Sequence, residues 1–447
     1  MTGADLKRLA IIDHSLSAAG VEKYLSGLVH ALPRQERFYD WSASLYLTRR
    51  NTAGQFISWP SRLESDRIDV VYFPVKTRSP ILDRIFFPVD GFPGTRKIRR
   101  LTGETIRKHG PWIVRETMGN RKNLIESYLA RNPADVVYFP FPYHIGRPRL
   151  EIPMVITLHD FGFWHFDRAP HRYFRRMQKD VGDFIESSAI IIVSSDFIAD
   201  EVKSYFPNAA EKIRVIRPGI PHTEMHPTPS DLSRCREKFD LPERFVINVG
   251  WIFEHKNQQV IIKAIGELKK RGLKVSLLLV GPNTDRLEQP ARNAVDPDVQ
   301  RLLQVAEEAG VYAGEDFRGL GFVDDLDLEC LYREAAALVV SSLYEAGSFP
   351  IIEANRSRCP VICSRIKPFM EQVALIDGNA YTFDPLDPIE LADCIQSVIE
   401  DREGALRKAG QAAQLVHESY SWDKMASRYL DAFEDAIALA SSAKRTV

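Results

Sequence analysis

The residue types best able to do chemistry are gathered in one stretch, Ser341 to Ala354, which reads Ser-Ser-Leu-Tyr-Glu-Ala-Gly-Ser-Phe-Pro-Ile-Ile-Glu-Ala. Two acids, Glu345 and Glu353, stand on either side of a Gly347-Ser348-Phe349-Pro350 turn. Carboxylates act as general acids and bases or accept hydrogen bonds from hydroxyls. The turn between them asks for a different ligand group. Pro350 suits the first turn of a helix and Ser348 its N-cap, so a helix is expected to start here with unpaired amides facing the turn. Orphan amides and the helix dipole both favour negative charge, which makes the turn an anion site. An anion site with an acid on each side suits a ligand with phosphate in its middle and hydroxyls at both ends, as in a nucleotide sugar.

Such a site needs a strand to deliver it, and Ala336 to Ser342, apolar and ending in serines, reads as a buried strand leaving a sheet. The same unit of strand, loop and helix occurs upstream: strand Phe245 to Val249, loop Gly250 to Asn257, helix Gln258 to Arg271, then strands Val275 to Val280 and Phe317 to Phe322 and a helix around Leu326 to Ala336. Asp324 and Asp325 precede that last helix and read as capping residues. Lys256 sits in the Gly250 loop, at the carboxyl edge of the same predicted sheet. Most lysines are merely solvated, but one at this edge is the obvious cation for a diphosphate.

A separate series opens the chain. Strand Leu9 to Asp13 is followed by a small-residue turn, Ala18-Ala19-Gly20, and an amphipathic helix from about Val21 to Leu32. Further strands are expected at Asp69 to Phe73, Asp135 to Phe139, Val155 to Leu158 and Ala189 to Val193, spaced for crossover helices. His159 and Asp160 directly follow one of them, at the strand end where ligands bind in open α/β sheets; a histidine there is as often structural as functional. Arg172, Arg175, Arg176 and Lys179 have helical spacing and read as a solvated face. Arg214 to Pro221 ends in two prolines and a glycine and reads as a domain linker. Two such starts predict an α/β chain of two Rossmann-like domains with parallel sheets, facing each other across a cleft: residues 1–218, residues 219–425, and a closing helix and tail over 426–447.

The totals agree with that division, since 447 residues exceed one ordinary core. Lys and Arg number 59 against 60 Asp and Glu, so nothing global favours nucleic acid or membrane. No apolar run approaches the roughly 20 residues of a spanning helix. Met1 to Leu9 is polar and runs straight into a strand, unlike a signal peptide. The cysteines, Cys235, Cys330, Cys359, Cys363 and Cys394, are odd in number and lack metal spacing, which argues for a reducing cytoplasm. Within residues 78–122 the pattern breaks down: Phe86, Phe87, Phe92 and Trp112 are interleaved with Arg96, Lys97, Arg99, Arg100, Arg107 and Lys108. An insertion packed on its own domain is favoured over peripheral contact with an anionic membrane.

The Glu345-to-Glu353 stretch resembles the donor motif of glycosyltransferase family 4, whose members have the two-domain GT-B fold. Gly319-Leu320-Gly321-Phe322-Val323, Pro360-Val361-Ile362-Cys363-Ser364, Glu371 and Phe383-Asp384-Pro385 are similar to the family as well. More loosely, Gly20-Val21-Glu22-Lys23 resembles its glycine loop and Thr157-Leu158-His159-Asp160 its His-Asp loop. The resemblance implies that Glu353 binds ribose hydroxyls and Glu345 the transferred sugar near the reacting carbon. It further implies that the amides of Gly347, Ser348 and Phe349 hold the diphosphate, that Lys256 neutralises it as it leaves, and that Gly20 and Gly250 line the donor site. His159 would lie beside the donor sugar. Ser421-Trp422-Asp423-Lys424 and the helix after it resemble the family's closing helix, which crosses back to the first domain. One departure concerns the loop Gly250-Trp251-Ile252-Phe253-Glu254-His255-Lys256, where the family commonly carries an arginine.

The resemblance implies a retaining hexosyltransferase, and one that needs no cofactor and no metal. Its donor would be a nucleotide sugar, with GDP-mannose favoured because His159-Asp160-Phe161 and the following Phe163, Trp164, His165 and Phe166 resemble the family's mannosyltransferases. The acceptor would be a saccharide or lipid-linked saccharide, in polysaccharide or glycoconjugate synthesis, with residues 1–218 as the acceptor domain and 219–425 as the donor domain. Retaining glycosidases set two carboxyls about 5 to 5.5 Å apart; with Glu353 counted as two helical turns from Glu345, front-face transfer is expected instead. A GT-B epimerase or phosphorylase, or a non-catalytic nucleotide-sugar-binding homologue, are the alternatives.

Overall fold

The computed structural model describes residues 6–13, 19–47, 67–72, 125–143, 145–165, 171–220, 225–288 and 296–445. The stretch 78–122, and with it the question of a membrane surface there, lies outside them. No helix among the described residues is long and apolar enough to cross a membrane. The chain forms two compact units, Met1–Gly219 with Trp422–Val447, and Ile220–Ser421.

The first unit runs β1 (Lys7–Asp13), α1 (Ala19–Ala31), β2 (Trp41–Leu47), β3 (Ile68–Tyr72), β4 (Val136–Phe139), β5 (Met154–Leu158), α2 (Gly162–His165), α3 (His171–Ser187), β6 (Ile190–Val193), α4 (Asp196–Tyr205) and β7 (Ile213–Val215). Its sheet has the order β3-β2-β1-β4-β5-β6-β7, and every neighbouring pair is parallel. Strands β4, β5 and β6 are buried at every residue, as runs such as Ile190-Ile191-Ile192-Val193 require when helices cover both faces. Strand β2 is absent from the sequence expectation, because Ser42 and Ser44 interrupt its apolar residues. Helix α1 begins at Ala19, so Gly20 belongs to its first turn and not to the loop before it.

The second unit runs α5 (Pro229–Lys238), β8 (Phe245–Val249), α6 (Gln258–Lys270), β9 (Ser276–Val280), α7 (Pro297–Ala309), β10 (Phe317–Gly321), α8 (Asp325–Glu334), β11 (Ala337–Val340), α9 (Phe349–Arg356), β12 (Val361–Ser364), α10 (Lys367–Ala374), β13 (Tyr381–Phe383), α11 (Pro388–Glu400) and α12 (Arg402–Ser419). The order is β10-β9-β8-β11-β12-β13, again all parallel. Alternation along β8 feeds two cores: Val246 packs with Ile261, Ile265 and Leu279, whereas Phe245 and Ile247 join Cys330, Leu331 and Leu338. The five cysteines are free thiols. Burial pushes Cys235, Cys359 and Cys363 up to about 12, so they act as small apolar residues. Asp324 caps α8 by accepting from the Asp327 N–H at 2.8 Å.

The last helix, α13 (Trp422–Arg445), returns to the first unit. A Cβ on Gly27 would lie 2.1 Å from Trp422 Nε1, and one on Gly219 would lie 2.6 Å from Trp422 Cγ. The indole is therefore seated against two backbones that only glycine leaves open. Lys7–Glu434 (2.8 Å) and Arg37–Asp431 (2.5 Å) pin the outer side of the same helix.

Candidate functional site

In an open parallel sheet, ligands bind beyond the carboxyl ends of the strands where the strand order reverses, because adjacent crossovers there leave toward opposite faces. In the second unit the reversal lies between β8 and β11. Those two strands deliver the two loops that carry Gly250 to Lys256 and Ser341 to Ser348. The topology thus brings Lys256 to Glu345 from 89 residues away in sequence.

The two loops are tied together by backbone and side-chain bonds. Ser341 Oγ donates to the Lys256 carbonyl at 2.8 Å, and the Leu343 N–H donates to the His255 carbonyl at 2.7 Å. Ser364 Oγ holds the Ser342 carbonyl at 2.6 Å. Beneath them, Asn248 Nδ2 donates to the Val339 carbonyl at 2.8 Å, and Gln258 Nε2 donates to the Trp251 carbonyl at 2.7 Å. Gly250 ends β8 with φ +152°, its N–H donating to Val280 at 2.8 Å, and a Cβ on neighbouring Gly281 would lie 2.5 Å from its carbonyl oxygen. The close approach therefore requires glycine at 281, while Gly250 is favoured by its own positive φ.

On this frame Lys256 Nζ forms an ion pair with Glu345 Oε1, which also accepts from Ser342 Oγ at 3.0 Å. Both side chains are only partly exposed, 29% for the lysine and 16% for the acid. The cation expected to meet a diphosphate is thus held by the acid expected to meet the sugar. Any anionic ligand reaching Lys256 must share it with Glu345 or displace it.

The turn departs from expectation in one respect. Gly347 has φ +156°, a conformation that suits glycine, and α9 starts at Phe349 with Pro350 in its first turn. Ser348 occupies the N-cap position, but its side chain makes no capping bond. Instead the Ser348 N–H donates to Gln372 Oε1 at 2.9 Å, and Gln372 Nε2 donates back to the Ser348 carbonyl at 3.1 Å. One of the three expected phosphate amides is therefore already engaged by a buried amide side chain of α10. Among the described residues, the Gly347 and Phe349 amides are the pair left to an anion.

Glu353 is buried on α9 and accepts from Tyr332 Oη of α8 at 3.2 Å. Burial, and next the nearby Glu353 charge, raise the Tyr332 phenol well above its ordinary value, so the phenol stays a donor. The helix begins only at Phe349, which puts Glu353 little more than one turn inside it. Counting two helical turns between the acids was wrong because Glu345 to Ser348 are not helical.

In the first unit the reversal lies between β1 and β4. His159 follows β5 and is held by its surroundings: the ring Nε2 is 2.7 Å from the Pro140 carbonyl, and Tyr24 stands edge-on with ring centroids 4.9 Å apart. A carbonyl can only accept, so Nε2 carries the proton and Nδ1 is left as an acceptor. Desolvation lowers the His159 pKa to about 4, leaving the ring neutral near pH 7. Tyr143 fixes the loop, accepting from the His159 N–H at 3.0 Å and donating to the Asp160 carbonyl at 2.9 Å. Behind the histidine, Tyr24 Oη bonds Tyr138 Oη (2.7 Å), Thr157 Oγ1 (3.1 Å) and Tyr429 Oη of α13. Gly20 lies one turn before Tyr24 on α1.

Two family models match the chain, "Glycosyl transferases group 1" over residues 231–416 and "Glycosyltransferase Family 4" over residues 85–224. The chain belongs to glycosyltransferase family 4. It is 24% identical to O-antigen chain mannosyltransferase B of Escherichia coli over 318 residues, covering 69% of this chain and 77% of that protein. It is 27% identical to D-inositol 3-phosphate glycosyltransferase of Salinispora tropica over 324 residues, covering 66% of this chain and 61% of that one. Sucrose-phosphate synthase of Thermosynechococcus elongatus superposes with a TM-score of 0.70 at 18% identity, covering 97% of this chain and all of that one. Anabaena HepE, in complex with UDP and glucose, superposes with a TM-score of 0.63 at 18% identity over 96% of this chain and 99% of its own. The fold of this family 4 enzyme is accordingly GT-B.

Of the residues singled out in the sequence, Gly250, Lys256, Glu345, Gly347, Ser348, Phe349 and Glu353 all belong to the second unit and cluster at its switch point. His159 and Gly20 belong to the first unit. Sequence reasoning passed over Gln372, Tyr332, Asn248 and Gln258 in the second unit and Tyr143 and Tyr24 in the first. Asn248 carried a signal, a polar residue inside the apolar strand Phe245-Val246-Ile247-Asn248-Val249; the others did not.

Proposed function

We propose that this family 4 glycosyltransferase moves a hexose from a nucleotide-diphosphate sugar, GDP-mannose favoured, to a saccharide or lipid-linked saccharide acceptor, with retention at the anomeric carbon and without a metal. The observation carrying the proposal is the Lys256–Glu345 pair beside the Gly347 turn, at the reversal of a parallel sheet, with Glu353 one turn into the following helix. Similarity to a mannosyltransferase supports the sugar, and the UDP and glucose bound by a protein of the same fold support a nucleotide sugar in general.

In this reading the diphosphate lies against the Gly347 and Phe349 amides and draws Lys256 toward itself. Glu353 takes the ribose hydroxyls, and Glu345, freed from the lysine, takes hydroxyls of the sugar. The bond from the anomeric carbon to the phosphate oxygen breaks, the acceptor oxygen bonds to the same face, and the acceptor proton passes to the departing phosphate. Lys256 and the amides stabilise the charge that develops on that phosphate. His159, neutral and with its Nε2 proton committed to Pro140, orients the sugar and donates no proton to the leaving group.

A thermal-shift screen of GDP-mannose, UDP-glucose and related donors, followed by NMR of the product anomer, tests the proposal. Stabilisation by GDP-mannose and an α-linked product are expected. An inverted anomer overturns the front-face route, and release of nucleoside diphosphate that ignores saccharide acceptors overturns the transferase reading.

A further inference from the structure

Helices α8 and α9 meet through two polar contacts that lie one turn apart and differ in kind. At the first, buried Glu329 of α8 takes the charges, pairing with Arg333 Nε at 2.9 Å and with Arg356 Nη2 of α9 at 3.5 Å. Ser357 Oγ, just past α9, sits between the Glu329 carboxylate (2.7 Å) and the Glu353 carbonyl (2.8 Å). At the second contact, Tyr332 Oη donates to Glu353 Oε2 at 3.2 Å. The phenol is itself fixed, since its side chain is buried in the core that includes Leu331, Leu338, Ile351 and Ala354. Burial, and next the Glu353 charge, keep it protonated, so it serves the acid only as a donor. The Lys256–Glu345 pair is of another sort. A lysine offsets the charge of its carboxylate, whereas a phenol holds a carboxylate in place and leaves its negative charge for further hydroxyls.

We propose that Tyr332 is the positioning residue through which Glu353 tells ribose from deoxyribose in the donor nucleotide. A glutamate side chain has several rotamers, and one tied to a rigid phenol has lost that freedom before a ligand arrives. With Oε2 held from α8, the carboxylate meets the ribose hydroxyls as an acceptor already in place. It is not saturated by the contact, because a carboxylate has about four acceptor sites and the phenol uses one. Satisfying Tyr332 does not by itself account for the pair. A buried phenol can use a backbone carbonyl, whereas a carboxylate only 9% exposed costs desolvation that one neutral donor does not offset. A vicinal diol that donates to the same carboxylate supplies the missing partners. The inference rests on the donor reading above, in which Glu353 takes the ribose.

Calorimetric titration of the full chain with GDP and 2′,3′-dideoxy-GDP, and with the matching uridine pair, tests it. Wild type should prefer the ribonucleotide by about tenfold or more, as hydrogen bonds to a charged acceptor provide. In Tyr332→Phe that preference should shrink by about threefold or more through weaker ribonucleotide binding, with the dideoxynucleotide within about twofold of wild type. Ser357→Ala is the control for packing. It loosens the same helix pair at the other contact, leaves the Tyr332–Glu353 bond in place, and should keep the wild-type preference. A Tyr332→Phe protein that discriminates as wild type does, or that loses both nucleotides alike, overturns the positioning role and leaves Glu353 as the ribose ligand. An equal loss of preference in Ser357→Ala assigns the effect to helix packing and overturns it too. If wild type binds ribo- and dideoxynucleotides equally, or binds neither, the ribose role of Glu353 is wrong and the inference falls with it.

Discussion

At the scale of single residues, the Lys256–Glu345 pair makes two variants behave differently. Lys256→Ala removes the cation proposed to meet the leaving phosphate, and turnover is expected to fall about a hundredfold or more. Glu345→Gln frees the lysine, so nucleoside diphosphate should bind more tightly, by up to about fivefold for a partly exposed pair, while turnover falls. Calorimetric titration with GDP and UDP beside steady-state rates checks both; weaker nucleotide binding in Glu345→Gln would contradict the competition. His159 carries a pH signature. Its pKa is about 4 when folded and about 6.5 when unfolded, so between those values the unfolded chain binds more protons. Stability from this group is full above about pH 6.5 and falls as pH drops toward 4. His159→Gln should flatten that part of the melting-temperature profile, with wild type as the reference. Glu345, Glu353 and Lys256 were legible because charged residues at a strand exit have few other uses. Gln372 and Tyr332 were not, since an amide or a phenol gains a role only from what the fold sets opposite it.

At the scale of elements, α9 and α10 show how the turn is kept in shape. Gln372→Leu leaves the buried Ser348 N–H and carbonyl without their partner, a loss of about 1–3 kcal/mol by chemical denaturation. Nucleoside diphosphate binding should weaken with it, because the Gly347 and Phe349 amides flank the loosened residue. Helix α13 depends on its tryptophan in the same way. Alanine is a better helix former than glycine by about 1 kcal/mol, so Gly27→Ala would stabilise an open site. Here the added carbon meets Trp422 at 2.1 Å, and a net loss of about 1–3 kcal/mol is expected. In a Trp422→Ala background the same change should cost nothing, which a double-mutant cycle in urea measures. The sequence marked α1 by its amphipathic pattern and the start of α9 by its turn residues, but neither contact was visible in it, since Gly27 and Trp422 lie far apart along the chain.

At the scale of the whole molecule, the donor couples to stability by mass action. A nucleoside diphosphate at a hundred times its dissociation constant should add about 2.7 kcal/mol, and Lys256→Ala should remove most of that gain. Turnover is expected to survive excess EDTA, because in the proposed reading Lys256 and the turn amides supply the positive charge that a divalent ion would otherwise bring. A steep loss of rate with EDTA, restored by Mg²⁺, would overturn that assignment.

What the sequence determined by itself was the local grammar: apolar runs with β-branched residues for strands, small-residue loops, and acids and a lysine at strand exits. Two rounds of it predicted two parallel-sheet units, and the observed strand orders agree. Only the tertiary structure decided which strand exits become neighbours. It placed β8 beside β11, so that Lys256 spends its charge on Glu345, and it sent Gln372 to occupy the Ser348 amide. Local pattern follows from backbone sterics and burial, which act over a few residues. Pairing follows from crossover topology, which joins residues 89 positions apart and leaves no mark in the spacing of either.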